Sequence, residues 1–355
     1  MLKAHSLKSG DKVAIVSLSR GLLGEDDLSH NLKIGIKRLK EFNLEPVFMP
    51  NSLKGLEYLE KHPDKRAQDL KDAFADSSIK AIICAIGGDD TYRTLSFLLD
   101  DPKFIQNVKN NPKIFTGFSD STHNHLMFYQ LGLSTFYGPS FITDISEISE
   151  EMIPYTKEYF QCFFAEKALK EIQPSPIWYE ERKDFSAASI GCERIAHEDK
   201  KGFELLQGAD IFSGQLLGGC LDSLNDILTG ELYPDQKEIC QKYNLFPKDW
   251  TNKILFIETS EEKIKPEKFA DSLRSLKNQG IFNRINGLLV GKPQDEIYYE
   301  EYKNKLIEII DNPSLPILYN LNFGHAIPRC ILPYGIEVEV NANTQKIVFL
   351  EDILK

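Results

Sequence analysis

The chain has 355 residues, of which 42% are apolar and 27% charged. That is enough for about two packed domains at roughly 150 residues each, and it excludes both a disordered chain and a repetitive fibrous one. With 42 Lys and Arg against 53 Asp and Glu the net charge is -11, a balance that favours solubility and repels phosphate backbones, so nucleic acid is not an expected partner.

The first 140 or so residues alternate short apolar runs with amphipathic stretches. A strand is expected at 12–18 (KVAIVSL). Residues 27–42 place Leu28, Leu32, Ile36 and Leu39 on one face, the spacing of a helix. A strand at 45–49 and a helix at 64–74, with Ala67, Leu70 and Phe74 aligned, follow. The run 79–86 (IKAIICAI) is almost wholly apolar, as strands covered on both faces of a parallel sheet are. A helix at 90–99, a strand at 113–118, a helix at 120–131 closed by Gly132 and a strand at 134–137 complete the series. Such alternation predicts a doubly wound α/β domain over 1–145.

Residues 146–204 are polar and read as a helix at 154–166, a crossing segment and an irregular insertion. A smaller C-terminal α/β domain is expected over 205–355. It has strands at 253–258, 287–290 and 315–319, helices at 267–278 and 300–310, and a terminal hairpin of 336–340 with 346–350. The N-terminus has no apolar segment before a small-residue cleavage site, so no secretory signal is read there. The run 81–86 falls far short of the roughly 18 residues of a membrane span. Six cysteines are scattered with no CxxC spacing, which suggests neither a disulfide framework nor a zinc site and fits a reduced, cytoplasmic protein.

Two segments stand where ligands bind in such sheets, at the carboxyl ends of strands. Gly117-Phe118-Ser119-Asp120-Ser121 lies between a strand and a helix. A serine at that sharp turn projects its hydroxyl off the sheet, and the N–H of Asp120 points to the same spot. Equally, Ser119 or Asp120 is an ordinary helix N-cap. Gly87-Gly88-Asp89-Asp90 follows the strand 79–86, and its glycines allow close backbone approach and an anion nest, or a plain turn capped by Asp90.

A nucleophilic serine needs a base and an orienting carboxylate. His5, His30 and His62 read as surface residues, and His123 and His125, two apart on one helix, point to different faces and read as packing residues. His325, beside Gly324 just past a strand, sits where a loop-borne base would. Glu258 closes the apolar strand KILFI, where a carboxylate is costly unless paired or facing solvent.

Taken in order, AIICAIGGDDTYRTL, NPKIFTGFSDSTHNHLMFYQLGLSTFYGPS, GQLLGGCLDSL, ILFIETSEE and NFGHAIPRCILPYG resemble the LD-carboxypeptidase family of serine peptidases, which also contains the microcin C self-immunity proteins. The resemblance implies a flavodoxin-like N-terminal domain joined to a smaller C-terminal domain, with the active site in the groove between them. It implies Ser119 as nucleophile, Glu258 as orienting carboxylate, His325 as base, and the N–H groups of Gly88 and Asp120 as oxyanion hole. It requires no cofactor and no metal, and it implies a homodimer.

Two substrate classes follow from the resemblance: murein tetrapeptides trimmed of D-alanine in cell-wall recycling, and aminoacyl-nucleotide amides. The insertion and the GGDDTYR form look closer to the immunity subgroup. In that setting Trp178 either stacks on a purine or anchors its loop, and Asp89 and Arg93 either meet substrate charge or pair locally. Cys220 departs from the asparagine that many members carry after the paired glycines. The competing classes are a non-catalytic two-domain ligand-binding protein and a nucleotide-dependent enzyme using GGDD for phosphate. The second lacks both the dinucleotide fingerprint and the P-loop lysine.

Overall fold

The computed structural model describes residues 1–355. The first strands are β1 (Lys12–Val16), β2 (Glu45–Phe48), β3 (Ile79–Cys84), β4 (Ile114–Gly117) and β5 (Phe136–Tyr137). The apolar residues of β1, β3, β4 and β5 are buried almost throughout, because helices cover both faces of the sheet, while those of the edge strand β2 are half-buried. The parallel order is β5-β4-β3-β1-β2. This is the flavodoxin-like winding, whose order reverses between β1 and β3, and a crevice opens there at the carboxyl ends of the strands.

Then come β6 (Glu171–Ile172), β7 (Ile177–Tyr179), β8 (Ala196–Glu198), β9 (Glu204–Gln207), β10 (Ile211–Cys220), β11 (Lys253–Glu258), β12 (Gly287–Gly291) and β13 (Ile317–Leu321). The chain ends with β14 (Leu332–Pro333), β15 (Glu337–Asn341) and β16 (Lys346–Phe349). A second, mixed sheet runs β6-β16-β15-β10-β11-β12-β13-β9, with a parallel centre and antiparallel edges. Strand β14 pairs not with its neighbours in sequence but antiparallel with β5 of the first sheet. Tyr334, just beyond it, donates to the Gly218 carbonyl of β10 at 2.8 Å and packs edge-on against Phe256 of β11. The chain thus stitches one sheet to the other. No helix is long and apolar enough to cross a membrane.

The expected elements are present with shifts at their ends. The helix expected at 90–99 opens as a 3-10 turn over Thr91–Thr94, and the one expected at 120–131 opens as a 3-10 turn over Ser119–Ser121. The helix expected at 154–166 ends at Gln161. The insertion, expected to be irregular, contains the antiparallel ribbon β7–β8. Helices Pro102–Asn110 and Pro234–Lys242 were not anticipated.

Arg66, on helix Pro63–Ala75, is fully buried and forks onto both carboxylate oxygens of Asp90 while donating to the carbonyls of Leu18 and Ser19. It ties the loops after β1 and β3 to a helix. Arg66→Met strips Asp90 of its buried partner and leaves only Arg93 at 3.8 Å, and breaking a buried pair costs about 3–5 kcal/mol. The urea midpoint should fall accordingly with an unchanged slope; an unchanged midpoint would contradict the assignment.

Candidate active site

Strand β4 ends at Gly117, and Ser119 follows with a φ of 63°. This left-handed backbone is uncommon for serine and strained. Its neighbours hold it there. The Ser119 N–H donates to the Tyr137 hydroxyl at 3.0 Å, and its carbonyl accepts from Thr122 Oγ1 at 2.7 Å. Asp120 accepts from the Thr91 N–H at 2.8 Å and pairs with His123 Nδ1 at 3.0 Å. Of the two glycines after β3, Gly87 faces Ser119 and Gly88 faces Ser19. A Cβ on Gly87 would come within 2.8 Å of Ser119 Cβ, and Gly88 has a φ of 147° with its Cβ position 2.2 Å from Ser19 Oγ. The Gly88 N–H donates to no protein acceptor, and Asp120 lies in the first turn, where N–H groups have no intrahelical partner.

Glu258, the last residue of β11, is 1% exposed. Its Oε1 accepts from the Tyr137 hydroxyl; its Oε2 accepts from the backbone N–H of His325 at 3.1 Å and pairs with His325 Nδ1 at 2.8 Å. Gly324, with a φ of 79°, is required at that point, because a Cβ there would lie 2.2–2.5 Å from atoms of the Glu258 side chain. Arg329 braces the loop by donating to the Gly324 carbonyl at 2.7 Å and the His325 carbonyl at 3.3 Å, and it is anchored to Asp144 at 2.6 Å. The Phe118 ring meets the imidazole edge-on at 5.0 Å.

The second imidazole nitrogen, Nε2, contacts the Glu261 carboxylate at 2.9 Å, and no hydrogen bond joins Ser119 to His325. Burial works against charge on His325, but Glu258 and then Glu261 outweigh it and hold its pKa up at about 10. His325 in turn holds Glu261 down to about 2. His123 is held up at about 10, because Asp120 overcomes its burial, whereas burial drives His125, fully enclosed against Thr135 and the Gly117 carbonyl, down to about 3.

One cleft of about 570 Å³ is lined by Ser119, Gly88, Asp89, Asp120 and His325, with Glu258 buried behind the imidazole. Two residues singled out as substrate contacts are not brought there. Trp178 stacks on its cross-strand partner His197 at 4.2 Å, with the Lys292 ammonium 5.5 Å from the ring, because the β7–β8 register sets Trp178 opposite that histidine. Arg93 lies over the Tyr233 ring at 5.0 Å and pairs with Asp90 at 3.8 Å. Asp89 is in the cleft but already faces Arg20 at 3.5 Å. His30, read as a surface residue, is buried with its Nε2 at 2.9 Å from the Phe185 carbonyl, and His123 lines the cleft. Sequence reasoning missed Tyr137, Arg329 and Glu261. Tyr137 alone carried a signal, as the polar end of a strand beside the serine turn.

Cys220 Sγ lies within 4.8 Å of ligand atoms of Glu258 and His325. Burial, with the charges of Glu258 and Asp222, raises the pKa of its thiol, and the Glu258–His325 pair is satisfied directly.

Comparison with known proteins settles the family. The model of the LD-carboxypeptidase N-terminal domain matches residues 13–138, and that of the LD-carboxypeptidase C-terminal domain matches 213–340. The chain belongs to the LD-carboxypeptidase family. Among family relatives, a protein of Bacillus subtilis (strain 168) named "Probable murein peptide carboxypeptidase" is 27% identical over 96% of this chain and 91% of its own length. The microcin C7 self-immunity protein MccF of Escherichia coli is 26% identical over 82% of this chain and 79% of its own. The crystal structure of an MccF-like protein from Streptococcus pneumoniae in complex with AMP superposes with a TM-score of 0.93. It is 51% identical and covers 96% of this chain and 98% of that one.

Two outcomes test the site geometry. Tyr137→Phe leaves a buried carboxylate oxygen and the Ser119 N–H short of a partner, at a cost of about 1–3 kcal/mol in urea unfolding; an unchanged midpoint would remove the bridge. His325 has a folded pKa of about 10 against an ordinary 6.5. Its ion pairs therefore stabilise the fold fully below the lower value and lose that effect as pH rises through the upper one. Comparing wild type with His325→Gln across pH 6–11 should reveal a difference that shrinks on the alkaline side; a constant difference would contradict the pairing.

Proposed function

We propose that the chain is a serine hydrolase cleaving an amide bond through an acyl-enzyme, with Ser119 as nucleophile, His325 as base and Glu258 as the carboxylate that orients it. The observation that carries this reading is the buried Glu258–His325 pair, whose imidazole lines the same cleft as a serine held in left-handed backbone. Such strain recurs where a side chain is aimed at a substrate.

The Ser119 oxygen attacks the carbonyl as its proton passes to His325 Nε2, and Glu258 stabilises the imidazolium through Nδ1. The N–H groups of Gly88 and Asp120 receive the developing oxyanion. His325 then protonates the leaving amine, and water releases the acyl group. These steps need no metal or cofactor.

We take an aminoacyl-nucleotide amide as the substrate, supported by the AMP complex of the relative that is 51% identical. Phe185, 43% exposed on the cleft wall, offers the aromatic face that Trp178 does not. A second reading, a carboxypeptidase on murein tetrapeptides, is supported by the name of the Bacillus subtilis relative. A cytoplasmic homodimer belongs to this proposal through the family resemblance and the free cysteines.

The test is a panel of an aminoacyl sulfamoyl adenosine and a murein tetrapeptide, with products read by mass spectrometry. Ser119→Ala should lose roughly ten-thousand-fold or more in kcat with its fold retained. Hydrolysis by the alanine variant at the wild-type rate would overturn the nucleophile; cleavage of the tetrapeptide alone would select the second substrate.

A further inference from the structure

In the resting geometry the proposed base is occupied on both nitrogens. Glu258 takes Nδ1 from behind at 2.8 Å, and Glu261 takes Nε2 from the cleft at 2.9 Å. Nε2 is the nitrogen that must accept the serine proton, yet Ser119 makes no hydrogen bond to it. Glu261 sits in the turn after β11 with its side chain 51% exposed, in contrast to the fully buried Glu258. It can therefore leave the imidazole without disturbing the core.

A carboxylate that leaves a cation needs another. The cleft holds no free one among its arginines: Arg194 pairs with Glu147 at 2.6 Å, Arg329 with Asp144 at 2.6 Å and Arg20 with Asp89 at 3.5 Å. Asp222, Asp226 and Glu262 line the same cleft without a basic partner within 4.0 Å. Burial raises the Asp226 carboxyl to about 6, outweighing the attraction of His123. The wall is thus short of positive charge, and the ligand must bring it.

We propose that Glu261 is a specificity-determining residue: it holds the imidazole of His325 in the resting enzyme and releases it when an ammonium group on the acyl side of the substrate takes the carboxylate. This deepens the hydrolase reading above and rests on it. The substrate class is an amide whose acyl group carries a free amine. On release, the imidazolium loses one of its two carboxylates and passes its Nε2 proton to water, and the freed lone pair accepts the hydroxyl proton of Ser119. The charged and titratable groups around the imidazole are Glu258 behind it, Glu261 before it, Asp222 and Cys220 from the β10 side, and Arg329 in its own loop; Arg20 acts on Glu261 from the β1 side.

The experiment compares wild type with Glu261→Gln on an aminoacyl sulfamoyl adenosine and on its N-acetylated counterpart, alongside nitrogen NMR titration of His325. Wild type should prefer the free amine by about tenfold or more in kcat/KM, the range of a charge-assisted hydrogen bond. In Glu261→Gln that preference should collapse, the His325 titration should move to lower pH, and the acid limb of kcat/KM should move with it. A preference that survives in Glu261→Gln, or a His325 titration that does not move, overturns the proposal. The titration needs no turnover, so failure of the hydrolase reading and failure of this one are told apart.

Discussion

The arrangement of this molecule turns on one carboxylate withdrawn from water. Glu258 ends an apolar strand at 1% exposure, where an unpaired charge costs several kcal/mol. Three donors offset that cost: the Tyr137 hydroxyl from the first sheet, and the backbone and ring N–H groups of His325 from the loop after β13. They come from two separate parts of the chain, Tyr137 of the first sheet and His325 of the loop after β13, so satisfying Glu258 fixes how the two sheets meet. Gly324 follows from the same constraint, since any side chain there would overlap the carboxylate. The Tyr137 hydroxyl also accepts from the Ser119 N–H. The group that stabilises the buried acid therefore holds the strained serine as well.

The polar residues beneath the cleft are sorted by what burial does to their charge. His123 and His325 are each matched to carboxylates and held charged, whereas His125, with only neutral partners, is held neutral. His125 bridges Thr135 and the Gly117 carbonyl, so it fastens the end of β4 to the start of β5 without a charge that would need balancing. Asp120 does the complementary task. Paired with His123 and accepting from Thr91, it connects the serine turn to the glycine loop, and Arg66 and Asp90 lock that loop to a helix. The approach of Gly87 to Ser119 is set by this chain of buried pairs.

The parallel sheet was legible because its strands are buried on both faces and read as unbroken apolar runs. KVAIV and IKAIIC carry that signal, and Lys253–Glu258 falls where the pattern placed it. The boundaries that moved did so for local reasons: the tight turns after β3 and β4 are 3-10 before they become α, and hydrophobic spacing does not separate the two. Helix Pro102–Asn110 had its start written in Asp101 and Pro102, the acid capping the N–H groups of Lys103 and Phe104. Strand β14, two residues long, pairs across the molecule and leaves no periodicity to read. Within the site, Ser119, Glu258 and His325 were legible from placement and motif. Glu261 was not, because nothing in TSEE distinguishes an exposed turn acid from one resting on an imidazole three residues from a strand end.

The insertion is held to the rest of the molecule independently of the contacts around Glu258. Its core is an ion cluster almost closed to water, in which Glu147 receives Arg182 at 2.8 Å and Arg194 at 2.6 Å, while Arg38 donates to the carbonyls of Ile145, Glu147 and Ser149. That cluster fastens the segment to helix Ser29–Glu41, and His30 on the same helix holds the Phe185 carbonyl. Phe185 and Arg194 thereby become a fixed wall of the cleft, although they come from the least regular part of the chain. None of these contacts runs through Glu258 or Ser119. Changes in the insertion can therefore reshape what the cleft admits while the buried carboxylate and its hydrogen bonds stay as they are.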